Sequence, residues 1–130
     1  MKSLNHVLCV DDDEDILEVV KLSLEMTSDL TISCCSSGDA ALEEIPRLLP
    51  DLVLLDVMMP QMDGPATYAQ LRLISNVPVI FLTASVQDHE VGEYLALGAI
   101  GVLPKPFDPV TLHQKIGKLW ERAQSTEHRS

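Results

Sequence analysis

Five short apolar runs alternate along the chain with five stretches whose apolar residues recur every three or four positions, and the connections between them are short. That alternation restricts the fold more than any single residue does. The runs cover 6–10, 30–34, 52–55, 78–82 and 99–103. The third is almost wholly apolar, as expected of a strand covered on both faces. The second carries more polar residues and suits a sheet edge. Ile16, Leu17, Val20 and Leu24 fall at helical spacing after the first run. Ser37 is placed to cap a second helix whose apolar positions are Ala41, Ile45 and Leu48. Met62-Asp63-Gly64-Pro65 turns into a third helix, with Pro65 near its first position. Ala66, Ala69, Leu73 and Ile74 are expected to form the apolar side of that helix. Val91, Tyr94 and Leu95 mark a fourth, stopped by Gly98. Leu112, Ile116, Leu119 and Trp120 mark the last. Five βα units with right-handed crossovers predict an α/β fold, a doubly wound five-stranded parallel sheet with helices on both faces.

The 130 residues fit one domain, expected over 1–124, with a polar tail at 125–130. A formal net charge of −11 opposes direct contact with nucleic acid or an anionic membrane surface. No run approaches the ~18–20 apolar residues of a membrane span, and residues 1–6 lack the apolar stretch of a signal peptide. The chain is therefore expected to be cytoplasmic. Cys9, Cys34 and Cys35 lie in strand-like runs with no CxxC spacing, and are read as buried free thiols in a reducing compartment.

Open parallel sheets bind their ligands beyond the carboxyl ends of the strands. Asp11 and Asp12 follow the first run, Asp56 closes the third, Thr83 follows the fourth and Lys105 the fifth. Adjacent carboxylates repel, and a hard cation such as Mg²⁺ offsets that with a few oxygen ligands. Asp13 suits the positive end of the first helix. Asp56 is the candidate nucleophile, since a carboxylate attacks phosphorus to give an acyl phosphate once charge repulsion is neutralised. The Met58 backbone carbonyl is a further candidate metal ligand. The Thr83 hydroxyl and the Lys105 ammonium are placed to meet phosphoryl oxygens. Lys105–Pro106 is a candidate cis bond. His6, His89, His113 and His128 show no ligand spacing, and there is no Gly-rich phosphate loop.

Val10-Asp11-Asp12-Asp13, Leu55-Asp56-Val57-Met58-Met59-Pro60, Met62-Asp63-Gly64, Leu82-Thr83-Ala84 and Leu103-Pro104-Lys105-Pro106-Phe107 occur in that order. In these motifs the chain resembles the receiver domain of two-component response regulators, of the chemotaxis-regulator-like type. The likeness runs from about Val7 to Leu119. It implies strand order 2-1-3-4-5. It implies Mg²⁺, with Mn²⁺ as a substitute, held by Asp12, Asp56 and the Met58 carbonyl, with Asp11 acting through water. Asp56 would be the phosphoacceptor, fed by a sensor histidine kinase or a histidine phosphotransfer protein. Thr83, the Ala84 backbone and Lys105 would bind the phosphoryl group. The surface of the fourth helix, fifth strand and last helix would then meet a downstream protein or a second copy.

One position departs from the pattern. Val102 stands where such receivers usually carry an aromatic switch residue, so switching is expected to rely on Thr83 and the backbone of the following loop. Met58 and Ser85 flank the path of an attacking water and are expected to set phosphoryl lifetime. A phosphoaccepting regulator, not an enzyme, is expected. The alternatives are a receiver fragment of a larger regulator or hybrid kinase, and an aspartyl-phosphate hydrolase. The hydrolase is opposed by Met58, where a second acid is wanted.

Overall fold

The structure, a computed structural model, describes residues 3–84 and 87–129. The elements in chain order are β1 (His6–Val10), α1 (Glu14–Thr27), β2 (Thr31–Cys35), α2 (Gly38–Leu48), β3 (Leu52–Asp56), α3 (Gly64–Leu71), β4 (Val79–Thr83), α4 (Asp88–Leu97), β5 (Gly101–Pro104) and α5 (Leu112–Arg129). The strands form one parallel sheet in the order β2-β1-β3-β4-β5, with β2 at one edge. The chain thus winds outward from β1 in both directions. The carboxyl ends of β1 and β3 become neighbours, with Val10 paired to Leu55.

Strand periodicity sorts the core into two layers. Val7 and Cys9, Leu52 and Leu54, and Ile80 and Leu82 face one side, where Leu17, Val20 and Leu24 of α1 and Leu112, Ile116 and Trp120 of α5 cover them. Leu8 and Val10, Val53 and Leu55, and Val79 and Phe81 face the other, under Ala41 and Ile45 of α2, Tyr68 and Leu71 of α3, and Tyr94 of α4. Each large aliphatic side chain buried in this way contributes about 1.5–3 kcal/mol relative to exposure. α1, α2 and α3 begin at side-chain caps. Asp13 Oδ1 accepts from the Asp15 N–H at 2.9 Å, Ser37 Oγ from Ala40 at 3.1 Å and Asp63 Oδ1 from Ala66 at 2.8 Å. Gly98 ends α4 at φ 118°, a left-handed conformation suited to glycine.

The structure corrects the sequence reading at several points. α3 is rotated relative to expectation: Ala66, Ala69, Leu73 and Ile74 are exposed, Leu73 by 79%, and the inward face is Gly64, Thr67, Tyr68 and Leu71. Gly64 causes this. A Cβ there would run into the Asp56 carbonyl oxygen and lie 2.8 Å from Val57 Cα, so the first turn sits directly on the backbone after β3. Residues one and two turns on must then face inward. Thr67 tolerates burial because its hydroxyl donates to Asp63 O at 2.8 Å, and Tyr68 because its ring packs on Phe81 while its hydroxyl accepts from Arg72 Nε at 3.0 Å. β2 starts one residue later than expected. Cys34 is exposed on that edge strand, whereas Cys9 and Cys35 are buried. α5 runs to Arg129.

Gly64→Ala is expected to cost about 1–3 kcal/mol, because the methyl group has only backbone to displace. Gly117→Ala in α5 meets nothing within 4 Å and should stabilise by about 0.5–1 kcal/mol. Urea midpoints of the two variants should move in opposite directions.

Candidate functional site

The acidic residues and the lysine meet at the carboxyl edge of the sheet because each terminates a strand there. Asp11 follows β1, its N–H donating to Cys35 O at 3.1 Å, and Asp56 is the last residue of β3. Thr83 is the last residue of β4 and Lys105 follows β5, its N–H donating to Thr83 O at 2.8 Å. The Lys105–Pro106 bond is cis, as the sequence suggested.

Asp11 is fully buried and Asp56 is 3% exposed, while Asp12 is open to solvent. Oxygens of the three lie within 4.8 Å of one another. Lys105 Nζ reaches both buried carboxylates, at 2.6 Å from Asp11 Oδ2 and 3.0 Å from Asp56 Oδ1. Asp11 Oδ1 accepts from the Asp13 N–H at 2.9 Å, which turns the chain into α1. Asp11 Oδ2 makes no hydrogen bond of regular geometry, although the ammonium lies close to it.

One ammonium faces three carboxylates, so the site carries an excess of negative charge. Burial pushes the Asp56 carboxyl up to about 6, and Asp11 adds to the rise against the opposing hydrogen bond and charge of Lys105. Burial acts to lower the Lys105 pKa, but its close contacts with the Asp11 and Asp56 carboxylates outweigh that and raise it. Hard oxygen donors, surplus negative charge and a buried carboxylate oxygen without a regular hydrogen bond together suit a divalent cation of the Mg²⁺ type. Among the described residues, Asp11, Asp12 and Asp56 form the one group of three or more acidic, histidine or cysteine side chains close enough together to hold a metal ion.

The other candidate residues fall around this centre. Met58 directs its side chain outward, 75% exposed, in the loop after β3. Thr83 is buried and Ala84 is exposed at the end of β4. Val102 is half-buried, in register with Phe81 and on the same core side as Tyr94. Ser85 lies outside the described residues. Two features were not drawn from the sequence: Lys105 bridges Asp11 as well as Asp56, and Gly64 backs the loop that carries Met58. The Asp63-Gly64-Pro65 step was the available signal for Gly64, but it shows only a turn until its contact is known. Among the described residues no helix is long and apolar enough to cross a membrane.

Comparison with known proteins agrees with this geometry. A family model described as the response regulator receiver domain matches residues 7–117. The chain is 37% identical over 122 residues to the transcriptional regulatory protein CpxR homolog of Haemophilus influenzae, covering 94% of this chain and 53% of that protein. It is 31% identical to the response regulator SaeR of Staphylococcus aureus, covering 96% and 54%. The chain thus spans about half the length of these curated relatives. Among solved structures it is similar to the Vibrio cholerae chemotaxis protein CheY4, with a TM-score of 0.82 and 29% identity over 90% of this chain and 99% of that one. The receiver domain of the Francisella response regulator 1452 gives a TM-score of 0.82 and 31% identity over 92% and 98%.

Proposed function

The chain belongs to the response regulator receiver family, and on that premise we propose that it is a phosphoacceptor signalling module in which Asp56 takes a phosphoryl group from the phosphohistidine of a sensor kinase or phosphotransfer protein. The observation that carries this reading is the buried Asp56 carboxylate, 3.0 Å from Lys105 Nζ and grouped with Asp11 and Asp12. An Asp56 oxygen attacks phosphorus, the P–N bond breaks, and its electron pair stays on the donor imidazole. Mg²⁺, when bound, would neutralise the charge between phosphate and carboxylates. Asp12, Asp56 and the Met58 carbonyl would hold it, with Asp11 acting through water.

Lys105 already neutralises Asp56 and is placed to follow the new charge onto the phosphoryl oxygens as a point charge. The Thr83 hydroxyl and the Ala84 N–H would donate to the same group. Drawing Thr83 toward it would shift the β4–α4 loop and alter the α4–β5–α5 surface that a downstream protein or a second copy would read. With Val102 at the usual aromatic position, this readout falls to Thr83 and the loop backbone. Met58 supplies no acid or base beside the acceptor, so the site is suited to holding a phosphoryl group rather than to turning over substrates.

The test is the intact mass after incubation with acetyl phosphate. One phosphoryl adduct that forms with Mg²⁺ or Mn²⁺ and not with chelator is expected. Steady phosphate release with no adduct would favour the hydrolase. Met58 would also bear on lifetime, because a bulky apolar side chain two residues after the acceptor would hinder water approaching the acyl phosphate. Met58→Asn should shorten that lifetime several-fold, read from the decay of the adduct mass once the donor is removed.

A further inference from the structure

Cys9 and Cys34 are direct partners in the β1–β2 register. Partnered residues of parallel strands point to the same face, and here it is the face covered by α1, where Cys9 lies under Leu17 and Val20 and the Cys34 thiol sits 3.9 Å from Leu17 O. Their Cα atoms are therefore about one strand spacing apart, ~4.8 Å, inside the roughly 4.4–6.8 Å that a disulfide spans. Cys35 points to the opposite face, into the other core layer. The two thiols of the pair also differ in access. Cys9 is fully buried, whereas Cys34 is exposed at the sheet edge. An open groove of about 610 Å³, lined by Lys21, Cys34, Ser36 and Arg47 among others, leads to Cys34.

We propose that Cys9 and Cys34 form a peroxide-oxidisable pair whose product is a disulfide across β1 and β2. The Cys34 sulfur attacks one oxygen of hydrogen peroxide, the O–O bond breaks and water leaves, giving a sulfenic acid. The Cys9 sulfur then attacks Cys34 sulfur, the S–O bond breaks, and the Cys9 proton leaves with the hydroxyl as a second water. Two thiols and one peroxide thus give one disulfide and two waters. β2 is an edge strand and is the element free to close the gap. Exposure of the Cys34 sulfur leaves the disulfide open to reversal by a thiol reductant. Burial pushes the Cys34 thiol up, and Glu25 adds to the rise while Lys21 pulls against it, so the first step speeds up as pH rises.

The test uses the freshly reduced full chain, treated with hydrogen peroxide, quenched in acid and alkylated in denaturant. Alkylatable thiols should fall from three to one. A non-reduced digest should join the Cys9 and Cys34 peptides, and dithiothreitol should restore all three thiols. Cys34→Ser, a surface change, should leave Cys9 and Cys35 both alkylatable, and Cys9→Ala should carry Cys34 on to sulfinic acid. Three alkylatable thiols after treatment, sulfinic acid at Cys34 in the wild type, a Cys34–Cys35 link or a Cys34 link between chains would each overturn the proposal.

Discussion

Asp56→Asn should take up no phosphoryl group from acetyl phosphate and, free of divalent cations at neutral pH, should be more stable than the wild type by on the order of 2 kcal/mol. The first effect follows from chemistry, because an amide oxygen is a poor nucleophile toward phosphorus and carries no charge to share with a cation. The second follows from burial. Folding raises the Asp56 pKa from 3.8 to about 6, chiefly by desolvation. The folded state therefore binds this proton more tightly than the unfolded chain does. The contribution of Asp56 is most favourable below the unfolded value and is lost as pH rises through about 6. Asparagine removes that loss. Urea midpoints of cation-free protein at pH 4.5 and 7.5 should show a wild type that weakens relative to Asp56→Asn across the interval. Equal midpoints at both pH values would mean that the carboxylate carries no burial cost.

Lys105→Ala should be the most damaging change at the site. It removes the ammonium that lies 2.6 Å from Asp11 and 3.0 Å from Asp56, leaving two buried carboxylates without a positive partner. Breaking a buried pair in this way costs about 3 kcal/mol or more, which for a domain of this size is roughly 8–12 °C in Tm. The loss should be smaller in mild acid, since losing the lysine lets Asp56 protonate more readily. It should also be partly recovered by Mg²⁺, which replaces one positive charge with another. Thermal melts of wild type and variant with Mg²⁺ and with chelator therefore form a four-way comparison. A larger Mg²⁺-induced rise in Tm for the variant than for the wild type is expected, and an unchanged Tm in chelator would show that the lysine does not neutralise the pair.

The strands and the strand-end residues were legible because a parallel sheet buried on both faces leaves long apolar runs, and because charged residues stand out at their ends. Asp56 and Lys105 are such interruptions. The two layers of the core follow from the alternation within those runs. Strand limits were less sharp, since in β2 and β5 the apolar stretch overruns the hydrogen-bonded ladder. The face of α3 could not be read. Its small residues are spread around the helix, and its orientation is set by the contact of Gly64 with the backbone of another element. The same holds for the double reach of Lys105, because a long side chain at a strand end has several possible partners until the neighbouring loops are placed. Cys34 was misread as buried for a related reason: an edge strand has a covered face that is only partly covered.

The most direct measurement is hydride trapping of the adduct, because borohydride reduces an aspartyl phosphate to homoserine at the residue that carried it. Protein incubated with Mg²⁺ and acetyl phosphate would be reduced, digested and sequenced by mass spectrometry. Homoserine at position 56 alone, absent when Mg²⁺ is chelated, is the expected result. Homoserine at Asp11 or Asp12, or a phosphoryl adduct that leaves Asp56 intact after reduction, would contradict the assignment of Asp56 as the acceptor.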